Sequence, residues 1–332
     1  MKPLIAALGL ALAGGPAAAA VTVSATTYLG FEGYRLSDGR TEAVVVPALM
    51  RVVRYAAVGG ANWLWVSDAR TTPPAEWRNW GGDKTWLAPQ LQWPGGLVGR
   101  EWPPDDTWEA EGVAGMIPGG LRVTGRVSAA TGIRITRVYS FTATGAFVIT
   151  QRAEKMSGGP VVAGLWSVTQ VVGATAVFLP VSPASGYRGR FHDFGWGMPA
   201  GAVAAAGRRM VAVRPDAAKW FKVGVDAPLS ALVTVRGGEA FVQRAPHPTG
   251  PSLNYPDGAT GYGCPVEVYN ADGGGKPAMR YMELELLAPL MTLTGTGSIQ
   301  EHAVQWSLAS VPRGATGSPG VVATVDRLVQ GE

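Results

Sequence analysis

Ile133-Arg134-Ile135-Thr136-Arg137-Val138-Tyr139 alternates apolar and polar side chains residue by residue. A period of two marks a half-buried strand, because successive side chains leave a pleated backbone on opposite faces. Working outward, similar runs occur at 43–55, 120–127, 146–153, 161–172, 219–225, 230–236, 239–244, 279–287 and 299–308. Gly or Pro clusters separate most of them. The chain's 46 glycines and 25 prolines suit short strands joined by tight turns. Many strands without an intervening helical pattern predict an all-β protein, a large antiparallel β-supersandwich. Long amphipathic helices are not expected. The one stretch with helical potential, Ala200 to Arg209, is short and Gly-bounded and reads as a loop or a single turn. No internal repeat of fixed period is present, which argues against a propeller or solenoid.

Residues 1–20 carry Lys2, an apolar run from Leu4 to Ala13, a Gly-Gly-Pro break and then Ala17 to Ala20. That is the layout of a secretory signal peptide cleaved after Ala20, so the expected location is periplasmic or secreted. Residues 21–332 are then one β-supersandwich domain, since no Ser- or Pro-rich linker or charge run divides them. No later stretch approaches the roughly 20 apolar residues of a membrane helix. A soluble monomer without a membrane span is expected. Cys264 is the only cysteine, so no internal disulfide forms. The net charge of +4 comes from scattered Lys and Arg, unlike the clustered basic stripe of a nucleic-acid binder.

Eight of the twelve tryptophans lie between Trp63 and Trp108. The centre of this segment reads NWGGDKTWLAPQLQWP, Asn79 to Pro94, followed by EWPPDDTW, Glu101 to Trp108. Gly, Pro and polar residues break its periodicity, which predicts mostly loop over the sheets. Indole faces stack on the C–H faces of pyranose rings, and planar polar groups hydrogen-bond the hydroxyls. Asn79, Asp83, Lys84 and Gln90, interleaved with Trp80, Trp86 and Trp93, supply that mixture. Asn62, beside Trp63, and Gln170, in the 161–172 run, join the ligand-binding candidates, and a carbohydrate is the expected partner. The alternative is a long loop pinned to the body by its own aromatics, with Asp83 and Lys84 as a local ion pair.

In YMELELLAPL, Tyr281 to Leu290, strand parity puts Met282, Leu284 and Leu286 on one face and Tyr281, Glu283 and Glu285 on the other. PVEVYNADG, Pro265 to Gly273, repeats the arrangement with Glu267 and Tyr269. If the two strands are neighbours, three glutamates converge, and mutual repulsion with burial raises at least one pKa into the range of a general acid or base. The alternative is a solvated outer face. Among three histidines, His192 in GRFHDFGWGMP is the candidate for chemistry, with Asp193, Phe194 and Trp196 around it. His247, between two prolines, could line a rim with Asn254, Tyr255 and Asp257. The histidine spacings fit no metal site, and no nucleophile elbow or phosphate-cradling motif occurs. No cofactor and no assigned metal site are expected; calcium stays open through Asp105 and Asp106 or Asp257, where no loop has a recognisable ligand register.

GGANWLWV (Gly59 to Val66), WRNWGGDKTWLAPQLQWP (Trp77 to Pro94), WPPD (Trp102 to Asp105), YMELELLAPL and QWSL (Gln305 to Leu308) resemble the bacterial family called domain of unknown function 4380. That family is similar in architecture to the galactose-mutarotase-like supersandwich, the fold of aldose epimerases. The resemblance implies a sugar site. It further implies a histidine acid, His192 or His247, and a late-strand glutamate base, Glu267, Glu283 or Glu285. The mutarotases' early Asn-Arg and His-Gly segments are absent, which leaves the sugar site as the part carried over. Three functions follow: an exported sugar-binding protein with the Trp80 to Trp93 loop over a Glu-lined concave sheet, a carbohydrate-active enzyme that epimerises or cleaves, or a module that recognises a polymer or a protein through exposed aromatics.

Overall fold

The computed structural model describes residues 21–71, 78–90, 112–248, 254–256, 263–271 and 280–332. A meander of β1 (Thr22–Tyr28), β2 (Phe31–Ser37), β3 (Thr41–Val46) and β4 (Arg51–Ala57) leads to β5 (Asp83–Ala88). A second meander, β6 (Val113–Ile117), β7 (Gly120–Val127), β8 (Ile133–Phe141) and β9 (Phe147–Lys155), precedes the long β10 (Val161–Val171) and β11 (Ala176–Pro180). Then come β12 (His192–Asp193), β13 (Val203–Ala206), β14 (Met210–Val213), β15 (Phe221–Val225), β16 (Ala231–Arg236) and β17 (Glu239–Arg244). The chain closes with β18 (Val266–Asn270), β19 (Met282–Leu287), β20 (Met291–Leu293), β21 (Ile299–Ser310) and helix α1 (Pro319–Gln330).

These strands make two large antiparallel sheets, as the alternating runs predict. The first runs β1-β2-β3-β4-β5-β10-β19-β18-β15-β12, with β20 also paired to β10. The second runs β13-β14-β11-β16-β17-β21-β9-β8-β7-β6. Between them, Tyr55 of the first sheet meets Phe147, Phe241 and Trp306 of the second, with ring centroids 5.8, 5.3 and 5.1 Å away. Burying each such ring contributes about 2 kcal/mol or more.

A polar bolt crosses this apolar layer. Arg137 occupies a core-facing position in the alternation of β8, and its side chain is fully buried. It donates to the Asp83 carboxylate, to Asp83 O at 2.9 Å and to Met50 O at 2.7 Å. Asp83 also accepts from Thr169 Oγ1 at 2.7 Å, and Gln243 Nε2 of the second sheet donates to that same Thr169 oxygen at 2.9 Å. Thr85 Oγ1 donates to Gln151 Oε1, again across the layer, at 2.6 Å.

Three expectations need correction. The 43–55 run is two strands, separated by a turn of 3-10 helix at Pro47–Leu49, because Pro47 has no N–H for a ladder. Within the Trp-rich segment, of which residues 72–77 and 91–111 lie outside the described residues, Asp83–Ala88 is not loop: β5 is a central strand between β4 and β10, buried at every position. Burial on both faces hides the alternation. Its approach needs Gly81 and Gly82, which have φ of +76° and +72° and pack so that a Cβ would lie 2.3 and 2.2 Å from the Trp65 and Val52 carbonyl oxygens. The 200–209 stretch contains β13, and a helix forms instead at Pro319–Gln330. There Pro319 opens the first turn and Gly331 closes the last in the left-handed conformation. Val321, Val325 and Val329 pack on the outer face of the second sheet against Phe178, Met210 and Val233. Helix-poor β-branched residues carry that apolar stripe, which weakens its signal.

Arg137→Met leaves Asp83 as a buried carboxylate without its cation. Chemical denaturation should show a loss of about 3–5 kcal/mol, and Asp83→Leu added to Arg137→Met should recover part of it. A single variant as stable as the parent contradicts the bolt.

Candidate functional site

Parity assigns the two faces of the first sheet. Asp83, Thr85 and Thr169 reach residues of the second sheet, so Lys84, Trp86, Trp166, Val168 and Gln170 point the other way. Strand register continues this outer face. One cross-sheet row holds His192, Gly224, Glu267, Glu285, Val168 and Lys84. The next holds Lys222, Tyr269, Glu283 and Gln170, and on the other side Leu287, Trp166 and Trp86 form a third. The three glutamates therefore do converge, on strands that are direct neighbours.

Two carboxylates placed opposite one another across a strand pair repel. Here Lys222 resolves the conflict: its Nζ lies 2.6 Å from Glu267 Oε2 and 2.9 Å from Glu285 Oε2. Trp166 Nε1 donates to the same Glu285 oxygen at 3.0 Å. Burial pushes the Lys222 ammonium toward neutrality, but the two carboxylates outweigh it and hold its pKa above the ordinary lysine value. The rings of Trp166 and Phe194, 4.7 and 5.1 Å away, complete its surroundings.

Glu283 differs. Burial lifts its pKa, Lys84 and the Gln170 side chain pull it down, Glu285 lifts it again, and the outcome is about 7. Gln170 Nε2 donates to Glu283 Oε1 at 2.6 Å, while Gln170 Oε1 is buried with no hydrogen-bond partner. Beside Glu283, burial and the two neighbouring glutamates raise Tyr269 to about 12. Lys84 Nζ sits 3.4 Å over the Trp86 ring, whose neighbour Trp166 meets it edge-on at 5.3 Å. Farther along the face, Asn79 Nδ2 donates to Tyr281 Oη at 3.0 Å. The arrangement offers buried hydrogen-bonding groups of both signs, two indoles and one carboxyl group half-protonated near neutral pH.

His192 shares the row but stands at the sheet edge, packed between Tyr187 at 5.2 Å and Phe194 at 4.6 Å. Gly224 separates it from Glu267. The space that a side chain would take at Gly224 is filled by Cys264, whose Sγ would be 2.6 Å from a Cβ there. The Cys264 thiol is buried, 3.5 Å from Tyr187 Oη. Burial and nearby Glu267 push its pKa well up.

Of the sequence candidates, Lys84, Trp86, Gln170, Glu267, Tyr269, Glu283, Glu285 and His192 share this face. Asn62, Trp80 and Asp83 are not brought to it. Asn62 ties its own loop to β4, accepting from Tyr55 N at 3.0 Å and donating to Val53 O at 2.9 Å. Trp80 packs with Val46, Leu49 and Val53, edge-on to Phe31. Asp83 points into the core toward Arg137 rather than pairing with Lys84, because adjacent strand residues face opposite ways. Tyr255 stacks on His247 at 5.8 Å. Gln90 lies just past β5, half-buried, and Trp93 is outside the described residues. Sequence reasoning missed Lys222 and Trp166. Parity within Trp220-Phe221-Lys222 and Trp166-Ser167-Val168 marks their faces, but only the strand order shows what they meet. Among the described residues, no group of three or more His, Cys, Asp or Glu is placed to hold a metal ion, and no helix is long and apolar enough to cross a membrane.

No protein-family model and no curated protein sequence matches the chain. Solved structures do. It is similar to a candidate aldose 1-epimerase from Klebsiella pneumoniae (TM-score 0.57, 10% identity, 91% of this chain and 84% of that one). It is also similar to a galactose mutarotase-like protein from Lactobacillus casei (0.53, 10%, 87% and 100%). A third similarity is to a TPR-domain-containing protein from Parabacteroides distasonis (0.55, 11%, 87% of this chain), of which it spans about half, 48%. At such identities the likeness is one of fold: the chain has an all-β, galactose-mutarotase-like architecture.

Glu283 and buried His302 of β21 make opposing contributions to stability. Folding raises Glu283 from 4.5 to about 7, so its contribution is complete below pH 4.5 and is lost as pH rises through 7. Burial lowers His302 from 6.5 to about 4, so its contribution is complete above pH 6.5 and is lost as pH falls through 4. Glu283→Gln should therefore steepen the rise of stability between pH 4 and 6.5, and His302→Gln should steepen its fall between pH 4.5 and 7. Urea unfolding of both variants across that window checks this, and matching slopes contradict it.

Proposed function

We propose that this protein is exported and binds a carbohydrate on the outer face of its first sheet. The observation that carries the reading is the convergence there of Glu267, Glu283, Glu285, Lys222, Lys84, Gln170, Trp86 and Trp166 by strand register. Sugars need many directional hydrogen bonds, and this face gathers charged and neutral hydrogen-bonding groups beside two indoles. The names of the fold neighbours, a candidate epimerase and a mutarotase-like protein, support a sugar as ligand class.

A second reading is proton transfer to or from the bound sugar, favoured by the pKa of about 7 at Glu283. His192 is three strands from Glu283, about 14 Å of sheet, wider than one pyranose. The proton transfer therefore falls to Glu283. Lys222 engages both Glu267 and Glu285, which disfavours a cleavage mechanism using those two as acid and base.

Tryptophan fluorescence titrated with glucose, galactose and their uronic acids should give a saturable change, and Glu283→Gln should weaken it by about tenfold, the scale of one lost charge-assisted hydrogen bond. If a sugar binds, anomer exchange followed by NMR should accelerate with the parent and slow with Glu283→Gln. No saturable response to any sugar would favour the polymer- or protein-recognising module.

A further inference from the structure

The buried cluster lies near two tryptophans that stay half-exposed. Trp196 and Trp220 are 49% and 50% exposed, whereas Trp86 and Trp166 are 5% and 1% exposed. Holding a large ring half in solvent forgoes apolar burial, so its position relative to the site matters. Both rings stand at the same end of one ladder. β12 pairs with β15 through His192 opposite Gly224 and Asp193 opposite Val223, and Phe194 N–H still donates to Lys222 O at 3.2 Å. Trp196 and Trp220 lie two residues beyond that last bond, Trp196 past the end of β12 and Trp220 just ahead of β15. Trp220 immediately precedes β15 and stands two residues from Lys222. Trp196 meets Tyr269 edge-on at 5.6 Å, and Tyr269 lies between Lys222 and Glu283 in the cross-sheet row. Trp196 is thus continuous with the buried polar cluster through Tyr269 and through Phe194, whose ring lies 6.3 Å from it and 5.1 Å from Lys222 Nζ.

Resting on the sugar reading, we infer that Trp196 and Trp220 form an outer subsite that stacks the second and later units of a glycan whose terminal unit lies over Glu283. The ligand class is then an oligosaccharide rather than a free monosaccharide. Two half-exposed rings are a small surface beside the roughly 800 Å² per partner that a stable protein interface needs, but each matches the C–H face of one pyranose.

Isothermal titration calorimetry with glucose, galactose, cellotetraose and galactotetraose tests this. A tetrasaccharide should bind about tenfold tighter than its own monosaccharide, a gain of about 1.4 kcal/mol. Trp196→Ala and Trp220→Ala should each remove most of that gain while leaving monosaccharide affinity within about twofold, and Trp196→Phe should restore part of it. Glu283→Gln should weaken unit and chain alike. Equal affinity for unit and chain, or alanine variants that keep the tetrasaccharide gain, overturns the outer subsite and leaves the sugar reading standing. A parent protein that binds none of the four overturns both.

Discussion

A guanidinium enclosed between two sheets must find acceptors there, or the sheets must part to admit water. Arg137 finds the Asp83 carboxylate and two main-chain carbonyls. That requirement reaches through the whole first sheet, because each residue the bolt engages is flanked in sequence by one that faces outward. Asp83 precedes Lys84, Thr169 precedes Gln170, and Ser167, whose Oγ lies 3.4 Å from Asp83 Oδ2, follows Trp166. A slip of one residue in β5 or β10 would send a lysine or an indole into the core and an aspartate to the surface. Inter-sheet chemistry and outer-face chemistry are two sides of one register.

The outer face meets a different demand. Three carboxylates and two ammonium groups share a region where none of these residues is more than 6% exposed, so charge has to be balanced locally. Lys222 serves two glutamates, and the third has the Gln170 amide and the charge of Lys84. The result is division of labour by environment: Glu267 and Glu285 bind a cation, and Glu283 keeps a proton within reach of neutral pH. No residue type distinguishes these three glutamates; their neighbours do.

Strand alternation made the architecture legible from the sequence, and the same parity rule placed Glu267, Glu283 and Glu285 on a common face. It worked because β18 and β19 have apolar partners at every second position. It failed for Asp83-Lys84-Thr85-Trp86, where both faces are buried and polar residues are satisfied by partners far away in the chain, Arg137 and Gln151. Lys222 was invisible as a site residue for the same reason: its meaning depends on β15 lying beside β18, which no local pattern encodes. The helix at 319–330 was masked by valines, whose branching suits strands, although Pro319 and Gly331 bracket it in the customary order.

Cys264 has a consequence of its own. It is the only thiol in the chain, buried under Gly224 and beside Glu267, with its pKa driven up. A thiolate is the reactive species, so in the closed protein an alkylating reagent meets neither access nor ionisation. The rate at which the chain takes up such a reagent therefore counts the moments when the β15–β18 seam parts. The protein carries a built-in clock for the breathing of the strands that hold its carboxylates, and any molecule that seals that face would slow it.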